Sequence, residues 1–197
     1  MSDIIAEHYF YKDAWNSSGT YYQDCFEFLT RVELNSQDAK TMTSNITISG
    51  LVRTKVSGWT YNVSNVWTSL WLKNSTTGTD LTQVAGGDMS ILSEAFKWYT
   101  PMTWTGDIQM VRNGKYAEAN VTIRYGWNNT SGLRLACPSF TEDTDLTLPK
   151  LEVSIRVPIN INSELKYGVA YIKVDNGLFE TRPHIKLNNT IKEIISC

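Results

Sequence analysis

The residues of this chain able to do chemistry are few and scattered. Its two histidines, His8 and His184, stand at opposite ends, and neither has a nucleophile or second ligand beside it. Acid–base and triad chemistry both need such a neighbour. No G-x-S-x-G, phosphate-binding loop or G-x-G-x-x-G occurs, so the common hydrolase and nucleotide fingerprints are missing. Cys25, Cys137 and Cys197 are widely separated, with no C-x-x-C and no histidine at zinc spacing. They read as free thiols of a reducing compartment. We therefore expect no enzyme activity and no cofactor.

Two clusters remain. In "TEDTD", Glu142, Asp143 and Asp145 could offer oxygen ligands to Ca²⁺; a solvated acidic loop is the plainer reading. In "WTYNVSNVWTSLWLK", Trp59 and Tyr61 share one strand face, and Trp67 and Trp71 share another. Aromatic rings facing solvent from a sheet can stack on sugars, whereas rings of this size otherwise fill cores or subunit contacts. These four are the ligand or interface candidates.

The elements that must position them are strands. Seven Trp, ten Tyr and many Thr and Val suit a pleated, half-buried surface. "NITISGLVRTKV" alternates through Ile46 and Ile48 and resumes at Val52 past Gly50, where a bulge or bend is expected. "NVWTSLWLKN" puts Val66, Thr68, Leu70 and Leu72 on one face and Trp67, Ser69 and Trp71 on the other. Ile108 and Met110 alternate into Asn113-Gly114, and Tyr116 to Tyr125 returns with alternating Ala, Val and Ile. That Asn-Gly pair predicts a hairpin with a type I′ turn. Further turns are expected at "NSSGT", "NSTTGTD", "AGGD", "NNTSG" and "TEDTD". Asp88 to Trp98, with Ile91, Leu92, Ala95 and Phe96, fits about two helical turns or a curved strand.

From about Leu146 the texture changes, with Pro149 and Pro158 in "LTLPKLEVSIRVPIN". Downstream, Ile172-Lys173-Val174-Asp175-Asn176-Gly177 overlies Ile185-Lys186-Leu187-Asn188-Asn189-Thr190 at a shift of thirteen residues. Each copy reads as a β-hairpin, the first turning at Asn176-Gly177 and the second at Asn188-Asn189. The expected class is all-β: an antiparallel β-sandwich followed by a small C-terminal β-hairpin repeat module. The domains are 1–24, an N-terminal arm or first strand; 25–150, the sandwich; 151–166, a connecting strand or linker; and 167–197, the two-hairpin module.

Lys and Arg number 18 against 20 Asp and Glu, a balance with no basic stripe for nucleic acid. No run of apolar residues is long enough to span a membrane, and the N-terminus lacks the pattern of a signal peptide. The many N-x-[ST] triplets, from Asn16 to Asn188, are read as by-products of Asn- and Thr-rich strands.

The order "TSNITISGLVRT", a Trp-rich strand, "AFKWYTPMTWTGDIQMVRNGKYAEANVTIRYGW" and "PSFTEDTDLTLPKL" resembles the β-sandwich domain of minor structural proteins of tailed bacteriophages of Gram-positive bacteria. Trp104-Thr105-Gly106, the Asn113-Gly114 turn and Leu148-Pro149 stand where that family has a W-x-G strand, a turn and an Ile/Leu-Pro exit. The C-terminal copies resemble the Y-[IV]-K-V-[DN]-G repeats with which such proteins often close. The resemblance implies a non-enzymatic virion protein assembled in the bacterial cytoplasm, at the tail tip, baseplate or fibre. A head decoration protein and a module binding cell-wall carbohydrate are the alternatives. Implied partners are other virion proteins, further copies of the chain and host cell-wall glycan.

Overall fold

The computed structural model describes residues 2–16, 18–55, 61–92, 94–129 and 135–153, and beyond them the backbones of short strands between 156 and 193. For 61–65, 89–92, 129, 135 and 136 the backbone alone is described. The first half of the chain forms β1 (Asp3–Asn16), β2 (Tyr21–Asp38), β3 (Thr43–Thr54), β4 (Tyr61–Asn74), β5 (Thr82–Leu92) and β6 (Tyr99–Gln109). Then come β7 (Val111–Asn113), β8 (Tyr116–Glu118), β9 (Asn120–Asn129), β10 (Leu135–Ala136), β11 (Phe140–Thr147) and β12 (Leu151–Glu152). Last are β13 (Arg156–Ile161), β14 (Glu164–Val169), β15 (Ile172–Val174), β16 (Gly177–Phe179), β17 (His184–Leu187) and β18 (Thr190–Glu193).

The protein is an antiparallel β-sandwich followed by β-hairpins. One sheet has the order β10-β1-β2-β3-β6 and the other β11-β9-β4-β5, with β12-β8-β7 as a small third sheet. Alternation decides which side chains lie between them. On β4, Val66, Thr68, Leu70 and Leu72 are buried, while Trp67 points outward and is 43% exposed. On β3, Ile46, Ile48 and Val52 are buried, and the pairing with β6 slips between Gly50 and Val52, as expected of a bulge there. From Ala117 through Ala119, Val121, Ile123 and Tyr125 to Trp127 every second residue is buried.

The two sheets meet through aromatic rings. Phe28 of β2 lies 5.1 Å from Trp127 and 5.6 Å from Tyr125 of β9, edge to face, and 4.9 Å from Phe140 of β11. Phe10 of β1 stacks on Phe28 at 5.3 Å and meets Tyr125 edge-on at 5.4 Å. These are favoured ring geometries, each adding about 0.5–1.5 kcal/mol beyond area burial. Two of the rings bury a polar atom: among the described residues, the Tyr125 hydroxyl and the Trp127 indole N–H have no hydrogen-bond partner. Burial pushes the Tyr125 phenol far above its ordinary pKa. The same interior pushes the Cys25 thiol up to about 11 and Cys137 up to about 12, so both stay protonated at neutral pH.

Several expectations are corrected. Of the two readings of the segment from Asp88, helix or strand, Asp88–Leu92 takes the strand: it stays paired with β4 as far as Tyr61↔Leu92. A two-turn helix is marginal alone, and the backbone of β4 offers partners to Asp88, Met89, Ile91 and Leu92 across an irregularity between Asn62 and Val66. The chain then turns at 94–96, with Phe96 at φ 61°. Nor are "AGGD" and "TEDTD" turns; they lie inside β5 and β11. The β7–β8 hairpin pairs Asn113 with Tyr116 and so centres on Gly114-Lys115, with Gly114 at φ 64°. That is the Gly-X arrangement of a type II′ turn rather than the expected I′. "NNTSG" runs into residues 130–132, outside the described residues.

β1 pairs with β2 from Asp3↔Leu34 to Trp15↔Tyr21, which makes 3–16 the first strand of the sandwich. At the other end β12 pairs with β8, and Val153 N–H donates to Lys115 C=O, so the sandwich's hydrogen bonding extends past residue 150. Further on, β15 pairs with β16 as Ile172↔Phe179, Lys173↔Leu178 and Val174↔Gly177. β17 and β18 pair as Ile185↔Lys192, Lys186↔Ile191 and Leu187↔Thr190. Each pair of the first hairpin thus recurs thirteen residues on. Of the expected turn at Asn176-Gly177, Gly177 pairs with Val174 as the first residue of β16, and Asn176 lies outside the described residues.

Gly50 lets the sheets close on each other. A Cβ there would lie 2.7 Å from Met102 Cε and 2.9 Å from the ring of Tyr125, and Tyr125 is fully buried with nowhere to retreat. Gly50→Ala is therefore expected to destabilise the protein by about 1–3 kcal/mol, the cost of overpacking. Urea denaturation would show this as a lower midpoint with an unchanged slope; an unchanged midpoint would mean the interface has slack.

Candidate functional site

The outward face of the β11-β9-β4-β5 sheet carries the site. Strand register sets its side chains in rungs across β5, β4 and β9: Asp88, Trp67 and Asn128, then Gly86, Ser69 and Gly126, then Gln83, Trp71 and Arg124. β11 adds Thr141 beside Gly126 and Asp143 beside Arg124. The middle rung has almost no bulk, and the rungs on either side carry indole rings. The result is a groove of about 710 Å³ lined by Trp67, Ser69, Trp71, Gln83, Arg124, Gly126, Asn128, Ser139 and Thr141, among others.

Glycine makes the floor low. A Cβ on Gly126 would collide with the Ser69 hydroxyl, and one on Gly86 with the side-chain amide of Gln83 and the backbone carbonyl of Thr68. The floor is therefore a polar strip of hydroxyl and amide laid over bare backbone. Both indoles lean toward it. Trp71 Nε1 donates to Ser69 Oγ at 3.1 Å, and the Trp67 ring reaches over the Gly86 position. At one end Ser139 Oγ donates to Asn128 Oδ1 at 3.0 Å.

At the other end Arg124 grips Asp143 by two hydrogen bonds, Nε to Oδ1 at 2.6 Å and Nη2 to Oδ2 at 2.8 Å. Each charge shifts the other: the guanidinium holds the Asp143 carboxyl below its usual range, and the carboxylate raises Arg124 further. Chemically the groove can stack a ring, exchange hydrogen bonds with hydroxyls or amides, and present a matched ion pair.

Each sequence candidate can now be placed. Trp67 and Trp71 share the outer face of β4, as their spacing predicted, and stand on opposite sides of the groove. Trp59 lies outside the described residues, and of Tyr61 only the backbone, paired with Leu92, is described. Glu142, Asp143 and Asp145 do not form an acidic loop. Alternation along β11 turns Glu142 the other way, where it binds Lys12 Nζ at 3.1 Å. Asp143 takes Arg124, and Asp145 accepts from Thr122 Oγ1 at 2.6 Å. β11 is an edge strand, and charged side chains on an edge discourage pairing with another chain. Among the described residues no group of three His, Cys, Asp or Glu could hold a metal ion.

Sequence reading placed Ser69 on the face of Trp67 and Trp71 without naming it a candidate, and missed Gln83, Arg124, Gly126 and Asn128, because their membership depends on which strands become neighbours. A usable signal was the Gly126-Trp127 pair ending the alternation of β9. On the outer face of the other sheet, Tyr9 and Tyr11 of β1 stand exposed, while β2 and β3 are covered by their own side chains. There Arg53 bonds Glu27 at 2.7 Å and stacks over Trp98 at 4.4 Å from the ring centre. Leu29 and Leu51 are buried on that side. Lys55 lies over the Tyr11 ring at 4.1 Å.

Compared with protein-family models, curated proteins and solved structures, the chain matches none. Among the described residues no helix is long and apolar enough to cross a membrane.

The Arg124–Asp143 pair is part-exposed, so Asp143→Asn is expected to cost less than about 1 kcal/mol at neutral pH. A carboxylate whose folded pKa is depressed stabilises above its unfolded pKa of about 3.9 and loses that contribution as pH falls through the folded value. Thermal denaturation of the two proteins from pH 7 downward should show a small gap that closes in acid. A gap that widened in acid would assign the pair another role.

Proposed function

We propose that the chain is a non-enzymatic structural protein of a bacteriophage virion, carried on the tail at its tip, baseplate or fibre. The observation that carries this is the pair of C-terminal hairpins in matching register thirteen residues apart, behind a β-sandwich. This pairing gives physical form to the sequence repeats that resemble those closing phage minor structural proteins. A hairpin of three or four residue pairs is marginal alone, which favours a setting in which such units pack on one another or on a partner. Its partners are then other virion proteins and further copies of itself, since closed symmetric assembly is the common state of such subunits. The non-enzymatic part is supported by the make-up of the groove: indoles, Leu81 and Phe140, hydroxyls, amides and the guanidinium of Arg124.

Immunogold labelling of intact particles of the phage that encodes the chain tests the proposal. Label on the tail is the expected outcome. Label confined to the head would favour the decoration role, and particles without label anywhere would refute the virion assignment.

A further inference from the structure

We infer that the groove between Trp67 and Trp71 is a binding site for a neutral polysaccharide chain, lying across the strands. The inference stands on the groove itself and does not depend on the virion assignment.

Direction comes first. The two indoles come from one strand, four residues apart, so their Cα atoms are about 13 Å from each other along β4. Both rings lean back toward the rung between them, one bonded to Ser69 and the other over Gly86. They form two banks, and the channel between them runs perpendicular to the strands, along Gly86, Ser69, Gly126 and Thr141. Crossing four strands, that floor is roughly 14 Å long. It ends at β5 and β11, the two edges of the sheet. A rung of small side chains running from one edge strand to the other suits a linear chain passing through rather than the end of one.

Chemistry selects the class of chain. A pyranose is amphipathic: its C–H face stacks on an aromatic ring while its hydroxyls demand donors and acceptors at the rim. The banks supply rings, and the floor supplies the Ser69 hydroxyl, the Gln83 amide and the Thr141 hydroxyl. An apolar peptide or lipid would leave that polar strip without partners, at the cost of desolvating it. Nucleic acid and phosphate-rich polymers also stack or bind through cations, but among the described residues lining the groove Arg124 alone is charged. Its Nε and Nη2 are already committed to Asp143. A phosphate or carboxylate would have to displace that carboxylate while staying close to it. Neutral sugars ask for no such exchange.

The test is isothermal titration calorimetry of the full chain. The probes are chitotetraose, cellotetraose and maltotetraose, their monosaccharides, and anionic poly(glycerol phosphate). At least one neutral tetrasaccharide should bind, and more tightly than its monosaccharide. Trp67→Ala and Trp71→Ala should each weaken it about tenfold or more, as loss of an aromatic anchor does. Trp71 is half-buried and bonded to Ser69, so its loss can disturb the sheet. Trp67→Ala and Gln83→Ala change exposed side chains, keep the fold by circular dichroism, and should still lower the affinity. Four results would overturn the inference: no neutral oligosaccharide binds; binding survives Trp67→Ala and Gln83→Ala unchanged; only the polyanion binds; or sedimentation shows that Trp67→Ala abolishes self-association while no sugar binds, making the groove a contact between copies.

Discussion

The central strand β4 is flanked by β5 and β9, and its two faces have opposite needs. Val66, Thr68, Leu70 and Leu72 are buried against the five-stranded sheet, and Trp67, Ser69 and Trp71 face away from it. A slip of one residue in pairing would exchange the two sets, drawing two indoles into a core already filled by Phe26, Phe28, Tyr125 and Trp127. Exposing Val66, Leu70 and Leu72 instead would forfeit about 1.5–3 kcal/mol for each large aliphatic side chain. Core burial therefore fixes the register of β4, and that register alone puts both tryptophans on the solvent side. The groove is a consequence of the core.

Glycine serves the same end on both faces. Gly50 makes room for the Tyr125 ring from the opposite sheet, and Gly126, next along β9, makes room for the Ser69 hydroxyl on the outside. Tyr125 and Gly126 are consecutive and point in opposite directions, so close packing within and a low floor without are set by neighbouring residues of one strand. The two outer faces differ for a related reason. On the five-stranded sheet Arg53 is engaged at once by Glu27 and Trp98, which fills the surface over β2 and β3. On the four-stranded sheet the rung between the indoles holds only small side chains, which leaves it open.

Much of this was legible in the residues. Period-two alternation gave the faces of β3, β4 and β9, and the Pro-bearing strand β13 sits in a two-stranded unit, where proline can be tolerated. The repeat at 172–192 was visible as sequence and recurs as register. What failed has a common cause. Asp88–Leu92 was compatible with a helix until β4 was available to pair with it, and "TEDTD" looked like a loop because its acids were read without Lys12, Arg124 and Thr122. The type of the Gly114 turn hung on a register one residue away from the expected one. Local composition gave the elements; which strands become neighbours is a long-range fact, and it assembled the groove.

The placement of Trp67 and Trp71 outside the core, facing one ligand, is most directly checked by the indole N–H resonances of the seven tryptophans during titration of ¹⁵N-labelled protein with whichever neutral tetrasaccharide binds. The account predicts that the signals of Trp67 and Trp71 move together and saturate, while that of Trp104, on β6 of the other sheet, stays where it is. Movement confined to Trp15, Trp98 or Trp104, with Trp67 and Trp71 unmoved, would contradict it.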